Sequence, residues 1–312
     1  MTKENMISII IPTYKGEKSI QSLVENLISL LQSYDFEIII VNDCSPDEST
    51  HKICLELCSN YSNKITYLKL SKNFGEHNAI MAGLRNCEGD LAIIMDDNQI
   101  IPEEVIRLAD FTIKNNFDVV FTKYSERKDS FIRNLMSKIA NYSAELFLNK
   151  PKNIYFSSFK SIKRDLINQV IKYKGPFPYI DGLILSASNN LGSFEVNHSS
   201  RKIGQSSYTL YKLAKHYANL TTNFSTVPIH IFSIIGLILT IISFLFIISI
   251  IVEKIFNPDL PLGYSTIISV IFFFAGVQML FLGLIGEYVG KILKNVNKEE
   301  QYIIEFSKKK EK

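Results

Sequence analysis

The fold class of this chain is decided by residues 7–41, ISIIIPTYKGEKSIQSLVENLISLLQSYDFEIIIV. Two short apolar runs, Ile7–Ile11 and Phe36–Val41, have the length of buried strands, and Ser19–Leu31 between them repeats its apolar residues at helical spacing. A strand, a helix and a second strand in this order predict two parallel strands joined by a crossover helix.

The same alternation continues to the end of a fifth predicted strand. The further strands are predicted at Ile65–Leu70, Leu91–Met95 and Val119–Thr122, and the further helices at Asp47–Asn60, Glu76–Asn86 and Pro102–Asn115. This order predicts an α/β domain with a mostly parallel sheet that is covered by helices on both faces. Ligands of such sheets bind beyond the carboxyl ends of the strands, so the polar residues that end each strand are the candidate site.

Four of these strand ends carry distinctive residues. They are SIIIPTYKGE (8–17), VNDCSPDEST (41–50), NFGEHNAIMAGL (73–84) and MDDNQIIPEE (95–104). In this order they resemble the inverting nucleotide-sugar glycosyltransferases of family 2, which have the GT-A fold, a Rossmann-like arrangement. The resemblance covers about the first 125 residues well.

The resemblance implies a nucleotide-diphosphate sugar donor, a UDP-sugar in the first instance, bound along the strand ends. The residues that it implies for donor binding are Pro12, Tyr14, Glu17, Asn42, Asp43, Asn73, Asp96, Asn98 and Gln99. Asp43 is expected to contact the base or the ribose. Members of the family usually carry two adjacent aspartates here, and this chain has Asn42 in place of the first.

A divalent metal ion, Mg²⁺ or Mn²⁺, is implied at Asp96, Asp97 and Asn98. In one register, Asp96 opens the Asp-x-Asp motif of the family and Asn98 replaces its second aspartate. If the register slips by one residue, Asp97 takes that place and Gln99 matches a glutamine that is common in the family. In both registers, hard oxygen ligands stand where a cation would bridge carboxylate and diphosphate.

Two long apolar runs near the other end of the chain predict membrane spans. Ile229–Val252 contains His230 as its only ionisable residue, and Ser265–Gly286 contains no charged residue. About 20 apolar residues suffice to cross the hydrocarbon core of a bilayer. With these two helices, the whole chain resembles the polyisoprenyl-phosphate branch of family 2, similar to dolichol-phosphate mannose synthase and the bactoprenol glucosyltransferases.

Basic residues flank the pair of spans, whereas the loop Glu253–Gly263 between them has one lysine and two carboxylates. Because basic flanks stay in the cytoplasm, we expect a multi-pass protein of the inner (plasma) membrane whose catalytic domain and C-terminus are cytoplasmic. The expected domains are a GT-A catalytic domain at 1–205 with an interfacial helix at about 130–149, a juxtamembrane amphipathic helix at 206–226, two transmembrane helices at 227–290 and a basic tail at 291–312.

The element RKIGQSSY, residues 201–208, precedes the first span and resembles an Arg-x-x-Gly-x-Ser-x-Tyr element of the lipid-phosphate branch. The resemblance implies that Arg201, Ser206 and Tyr208 bind a lipid phosphate, and a guanidinium can clamp a phosphate through two hydrogen bonds. A basic belt that only snorkels to the membrane surface is the alternative interpretation. The resemblance also places Arg127 near the donor diphosphate.

These residues predict an inverting transfer of a sugar to a polyprenyl (undecaprenyl-type) phosphate. A phosphate nucleophile already carries about −1.5 to −2 charges near pH 7, so it makes little demand on a general base. The expected catalytic residues are Asp96, Asp97, Arg127 and, as a candidate base, Asp181 in PYIDGLI, which could equally be a helix cap.

Two other functions remain open from the sequence. One is transfer to a hydroxyl of a lipid-linked glycan, and the other is a non-catalytic membrane scaffold of the same fold. A processive polysaccharide synthase is disfavoured, because its Gln-x-x-Arg-Trp motif needs a tryptophan and the chain has none. The expected partners are the donor, the lipid phosphate, the membrane and, through Gly286 and Gly290, further copies of the chain, with no nucleic acid.

Overall fold

The computed structural model of the chain describes residues 6–97, 102–124, 151, 154–196 and 263–311, together with single helical positions between 234 and 256. The chain divides into two compact units. The first comprises Met1–Leu210 and Lys298–Lys312, and the second comprises Tyr211–Asn297. The predicted interfacial helix at 130–149 and the juxtamembrane helix at 206–226 lie outside the described residues.

The first unit is an α/β domain. Its strands are β1 Ile7–Thr13, β2 Phe36–Asn42, β3 Ile65–Leu70, β4 Leu91–Ile94, β5 Val119–Tyr124, β6 Lys160–Lys163, β7 Leu191–Val196 and β8 Ile304–Lys308. Its helices are α1 Ile20–Leu30, α2 Glu48–Asn60, α3 Glu76–Asn86, α4 Glu103–Lys114, α5 Arg164–Val170 and α6 Ile180–Ala187. The four predicted helices match α1 to α4 to within one residue at each end.

The strands form one sheet in the order β7-β5-β6-β4-β1-β2-β3-β8. Its centre, β4-β1-β2-β3, is parallel throughout, as the alternation of strands and helices predicts. The sequence did not predict β6, β7 or β8. Of these, β6 lies antiparallel between β4 and β5 and β8 pairs antiparallel with β3, whereas β7 is parallel to β5. The carboxyl ends of the four central strands therefore meet at one edge of the sheet.

Each face of the sheet has its own apolar core, because successive strand residues point to opposite faces. On β1, Ile7, Ile9 and Ile11 pack under α1, α2 and α4, whereas Ile10 packs under α3, α5 and α6. Strand β2 repeats the pattern and is buried along its whole length. Helices thus cover both faces, which confirms the predicted arrangement.

The second unit contains the long helix α7, Tyr264–Val296, which includes the predicted span Ser265–Gly286. Among the described residues, α7 alone has a stretch long and apolar enough to cross a membrane, Phe273–Val296, with a mean hydropathy of 1.5 and no buried part. The described positions within the other predicted span are helical. A Cβ atom at Gly236 would lie 3.9 Å from Cζ of Phe281 on α7, so the two segments approach each other.

Beyond α7 the chain contributes to the sheet of the first unit. The sequence predicted only a basic tail from residue 291, but residues 291–296 continue α7 and residues 304–308 form β8. Just after β8, the ammonium of Lys310 lies 2.6 Å from a carboxylate oxygen of Glu37 and 3.1 Å from one of Glu88. Glu37 is 1% exposed and also accepts hydrogen bonds from the hydroxyl of Ser8 and the amide of Glu88.

The pair between Lys310 and Glu37 leads to a prediction about stability. Lys310→Met should lower the melting temperature by several degrees, because removing one partner of a buried ion pair costs about 3–5 kcal/mol. The matched control is Lys309→Met, since Lys309 is an exposed neighbour. Melting in mild detergent, followed by circular dichroism, measures both variants. Equal melting of the two variants would contradict the prediction, and Glu37→Gln in the Lys310→Met background should recover part of the loss.

Candidate active site

Hydrogen bonds join the turns that follow the four central strands. The first joins β1 to β4: the hydroxyl of Thr13 donates to the carboxylate of Asp97 over 2.7 Å. A Cβ atom at Gly16 would lie 2.1 Å from the Thr13 hydroxyl oxygen and 2.5 Å from the Asp97 carboxylate, so only glycine fits there. Burial raises the pKa of Asp97, the hydrogen bond from Thr13 opposes this, and the charge of Asp96 adds to it. Asp97 therefore anchors the turn after β1.

Asp96 does not share the Thr13 partner of Asp97. Its carboxylate accepts a 2.7 Å hydrogen bond from the hydroxyl of Ser158, which lies in the segment before β6. The two adjacent aspartates thus connect to opposite sides of the strand ends, Asp97 toward β1 and Asp96 toward β6. Ser158 had no sequence signal, because its segment matches none of the four motifs.

Asp43 joins β2 to the turn before α3. Its two carboxylate oxygens accept hydrogen bonds from the backbone amides of Phe74 and Gly75, each at 2.8 Å. The side chain is 4% exposed, and burial raises its pKa even though these two hydrogen bonds act against the shift. Gly75 has a φ of 92°, a conformation that glycine adopts without strain.

Asn42 is fully buried at the end of β2. Its amide oxygen accepts hydrogen bonds from the backbone amide and the hydroxyl of Ser45, at 2.9 and 2.8 Å. Its amide nitrogen donates to the hydroxyl of Tyr67 over 3.2 Å. The sequence predicted Asn42 and Asp43 as donor-binding residues, and the structure uses both side chains to hold the surrounding turns.

The remaining predicted donor-binding residues lie at the surface of these turns. Tyr14 is 48% exposed, Glu17 and Asn73 are exposed, and Pro12 is half-buried in β1. The ammonium of Lys15 lies 5.6 Å from the centre of the Tyr14 ring. An exposed aromatic ring next to a cation, at the carboxyl ends of parallel strands, is a suitable surface for a nucleotide.

Asp181, the candidate base, is held in a buried ion pair. It lies in the first turn of α6, and its carboxylate accepts a hydrogen bond from the ammonium of Lys160 on β6. Their side chains are 9% and 3% exposed. Lys160 also lies 5.4 Å above the ring of Phe121. A carboxylate engaged by a buried cation is poorly placed to accept a proton from an acceptor, so we no longer favour Asp181 as the base.

Glu76 is a site residue that the sequence analysis missed. It opens α3, keeps an exposed surface and stands in a recess whose charges come from Asp96, Lys160 and Asp181. Burial, and next the charge of Asp96, raise its pKa to about 7, while Lys160 acts in the opposite direction. Its signal was present in NFGEHNAIMAGL, since an acidic residue that opens the helix after a parallel strand lies at the same edge of the sheet as Asp96. Lys160 had no such signal, because β6 was not predicted.

Six predicted site residues lie outside the described residues: Asn98, Gln99, Arg127, Arg201, Ser206 and Tyr208. Within the described ranges, no group of three or more histidine, cysteine, aspartate or glutamate side chains could hold a metal ion. The site as described therefore offers Asp96 and Asp97 with neighbouring hydroxyls rather than a closed cage of ligands.

Comparison with known families agrees with this geometry. Residues 8–171, more than half of the chain, match the family described as Glycosyl transferase family 2. The chain belongs to glycosyl transferase family 2. Residues 227–292 match a second family, the GtrB C-terminal hairpin. The chain is therefore a glycosyltransferase with a GT-A domain, as the four strand-end motifs predicted.

Relatives of this family-2 glycosyltransferase extend over nearly its whole length. It is 31% identical to undecaprenyl-phosphate 4-deoxy-4-formamido-L-arabinose transferase of Proteus mirabilis over 311 residues, 97% of this chain and 94% of the relative. The enzyme of the same description from Aeromonas hydrophila is 32% identical over 308 residues, with the same shares of the two chains. These alignments include the region of the C-terminal hairpin.

Solved structures confirm the GT-A fold. Glucosyl-3-phosphoglycerate synthase from Mycobacterium tuberculosis, in complex with phosphoglyceric acid, has a TM-score of 0.51 at 16% identity over 71% of this chain and 80% of that one. The same enzyme with Mn²⁺, UDP and glucosyl-3-phosphoglycerate has a TM-score of 0.50 at 17% identity, with equal coverage. At this level of identity the likeness concerns the fold alone.

The recess around Glu76 predicts how the stability of the glycosyltransferase depends on pH. The folded state holds the Glu76 proton up to about pH 7, whereas the unfolded chain releases it near 4.5. Because the folded state binds more protons between these values, this group makes the protein less stable as the pH rises from 4.5 to 7. Glu76→Gln removes the effect. In EDTA, the melting temperature of the variant should therefore exceed that of wild type by more at pH 8 than at pH 5.

The control for this prediction is Glu103→Gln, which changes another exposed first-turn glutamate, on α4. Its difference from wild type should stay the same at both pH values. If Glu76→Gln also shows a constant difference, the carboxylate of Glu76 ionises normally and the recess does not hold it protonated.

Proposed function

We propose that this family-2 glycosyltransferase moves a sugar from a nucleotide-diphosphate sugar to a polyprenyl phosphate, with inversion at the anomeric carbon. The observation that carries the proposal is the 31% identity to an undecaprenyl-phosphate sugar transferase over 97% of the chain. Such an alignment includes the catalytic domain and the hairpin family that follows it. A membrane hairpin fused to the catalytic domain suits an acceptor that is itself embedded in the bilayer.

The donor is proposed to lie along the turns after β1, β2 and β4, with a UDP-sugar as the first candidate. Exposed Tyr14, Glu17 and Asn73 would meet the nucleotide, while Asn42 and Asp43 would shape the turns beneath it. Arg127, Asn98 and Gln99 are proposed near the diphosphate on the strength of the motif alone.

A divalent cation, Mg²⁺ or Mn²⁺, fits the carboxylates at the end of β4. Burial raises the pKa values of both Glu76 and Asp97, and the charge of Asp96 adds to each shift, so a nearby cation would relieve this repulsion. Asp96 and Asp97, with Asn98, would hold the ion. When bound, it would neutralise charge on the leaving diphosphate. The mycobacterial structure of the same fold contains Mn²⁺ and UDP, which supports this assignment.

In the proposed reaction, an oxygen of the lipid phosphate attacks the anomeric carbon. The bond from that carbon to the diphosphate oxygen breaks, and the nucleoside diphosphate leaves. The product is a sugar joined to the lipid by a phosphodiester. A phosphate nucleophile needs almost no general base, which agrees with the buried ion pair that occupies Asp181. Arg201, Ser206 and Tyr208 are proposed to bind the lipid phosphate.

A second candidate function is suggested by the position of Glu76, which opens α3 close to Asp96 and whose pKa burial raises to about 7. A carboxylate with this pKa is suited to take a proton from an alcohol near neutral pH, so transfer to a hydroxyl of a lipid-linked glycan would use Glu76 as its base. The two functions make different demands on Glu76, and this difference allows an experimental decision between them.

The decisive assay offers the purified protein a panel of nucleotide sugars with Mn²⁺ and undecaprenyl phosphate, and identifies the products by mass spectrometry. We expect a sugar–phosphate–lipid product that is lost in EDTA and in Asp96→Ala. Arg201→Ala should raise the KM for the lipid by about 10- to 150-fold, the value of one charge-assisted contact, and leave the KM for the donor nearly unchanged. Lys at this position should restore part of the effect.

Glu76→Gln serves as the comparison in the same assay. With a phosphate acceptor, it should retain kcat to within about tenfold, whereas loss of a general base costs about 10²- to 10⁴-fold. A protein that ignores undecaprenyl phosphate, glycosylates a lipid-linked saccharide and loses this activity in Glu76→Gln would establish the hydroxyl acceptor. Full activity in EDTA would rule out the metal.

The hairpin is proposed to span the membrane at 229–252 and 265–286, with only the loop Glu253–Gly263 outside the cytoplasm. Around Gly286 and Gly290 on α7, added Cβ atoms would meet no described atom within 4 Å, which leaves these small residues open for contact with another copy. A cysteine at Asn257 should react with an impermeant thiol reagent in intact spheroplasts, and a cysteine at exposed Lys309 should react only after lysis. The reverse labelling would overturn this topology.

A further inference from the structure

A chain of hydrogen bonds runs from α2 through the sheet to the turn after β1. It begins at His51, whose Nδ1 lies 2.8 Å from the hydroxyl of Tyr67 on β3. The same hydroxyl accepts a hydrogen bond from the amide of Asn42, and the amide oxygen of Asn42 accepts from Ser45. The hydroxyl oxygen of Ser45 then accepts a 2.9 Å hydrogen bond from the backbone amide of Lys15.

The direction of the central hydrogen bonds in this chain follows from the chemistry of the Asn42 amide. The Asn42 amide uses its oxygen for Ser45, so its nitrogen must donate to Tyr67. The phenol proton of Tyr67 is then available to Nδ1 of His51 when that ring is neutral with its own proton on Nε2. Burial, and next the charge of Lys69, lower the pKa of His51 and favour this neutral form, while Glu305 and Glu48 act in the opposite direction.

The far end of the chain holds two turns in an uncommon backbone conformation. Lys15 has a φ of 61° and Cys44 a φ of 53°, both in the left-handed region that residues other than glycine seldom adopt. Ser45 directly follows Cys44 and bonds the amide of Lys15. Such conformations persist where surrounding contacts fix them, and these two turns carry Tyr14, Glu17 and the end of β2.

The Tyr67 hydroxyl lies inside the core. Tyr67 is 0% exposed and pairs with Ile40 of β2. A buried hydroxyl lowers stability unless its hydrogen bonds are made. Phe306 of β8 packs against both rings, with centroids 5.8 Å from His51 and 6.1 Å from Tyr67, so the C-terminal strand covers the outer end of the chain.

We propose that Tyr67 is a positioning residue for the nucleotide subsite: its hydroxyl orients the Asn42 amide, which through Ser45 fixes the turns at 14–17 and 43–46 for the donor nucleotide. The proposal rests on the proposed function in placing the nucleotide at these turns. It also gives a physical reason for an asparagine where family members usually carry an aspartate. An amide can donate to Tyr67 and accept from Ser45 at once, whereas a carboxylate can only accept.

The test is the affinity of the full-length protein in detergent for nucleoside diphosphates with Mn²⁺. UDP, GDP, CDP and ADP are titrated calorimetrically into wild type, and the tightest binder becomes the probe. Tyr67→Phe keeps the ring and should weaken binding of this probe by about 3- to 10-fold, the range of one neutral hydrogen bond. Tyr61→Phe removes a phenol at the C-terminal end of α2 and is the matched control, with no expected change.

A double-mutant comparison separates positioning from general weakening of the fold. Ser45→Ala removes the hydroxyl link from Asn42 to Lys15 but keeps the bond from the backbone amide of residue 45 to Asn42, so the losses from Ser45→Ala and Tyr67→Phe should be clearly less than additive. In the transfer assay, Tyr67→Phe should raise the KM of the donor by the same factor and leave the KM of the lipid phosphate within twofold of wild type. Additive losses, or equal losses for both substrates, would overturn the proposal.

If Tyr67→Phe lowers the melting temperature but leaves nucleotide affinity unchanged, the proposal is also overturned, because the hydroxyl then contributes to stability alone. The calorimetric measurement of nucleotide binding does not depend on the acceptor. A wild-type protein that binds a nucleoside diphosphate but does not glycosylate polyprenyl phosphate would refute the proposed function, while the effect of Tyr67→Phe on binding would still decide the role of Tyr67. A wild type that binds none of the four nucleotides would refute both.

Discussion

Two carboxylates, the buried Asp43 and the half-buried Asp97, hold together the edge of the sheet at which the site forms. Asp97 accepts a hydrogen bond from Thr13 at the end of β1, and Asp43 accepts two from the turn before α3. Asp97 fixes the turn after β1, and Asp43 fixes the turn before α3. The exposed residues that would meet a donor take their positions from these two anchors.

The balance of charge around this edge follows from the same geometry. Glu76 and Asp96 bring two carboxylates to a recess beside Lys160 and Asp181, which neutralise each other in a buried pair. The recess therefore retains negative charge that a cation or a proton must compensate. The same electrostatic demand raises the pKa of Glu76 and would be met by a divalent cation bound beside Asp96.

The sequence predicted the elements whose signal is local. Strands β1 to β5 and helices α1 to α4 follow from apolar periodicity, and Asp96, Asp97 and Asp43 follow from their places at strand ends. Strands β6, β7 and β8 could not be predicted, because each is short and pairs with strands far away in the chain. For that reason the sequence did not indicate Lys160 as a partner of Asp181, and the carboxylate of Asp181 was predicted to be free to act as a base. Glu76 was missed although its motif was recognised, since the meaning of its charge depends on Asp96 and Lys160 across the recess.

Strand β8 has a consequence for how the protein is made. It follows α7 in chain order, yet it pairs with β3, whose own residues emerge from the ribosome more than 200 positions earlier. Until the segment beyond α7 returns, β3 is an open sheet edge of the kind that promotes aggregation. Completion of the catalytic sheet thus waits for synthesis of the whole hairpin. A chain whose translation stops before β8 exposes that edge and leaves Glu37 without Lys310.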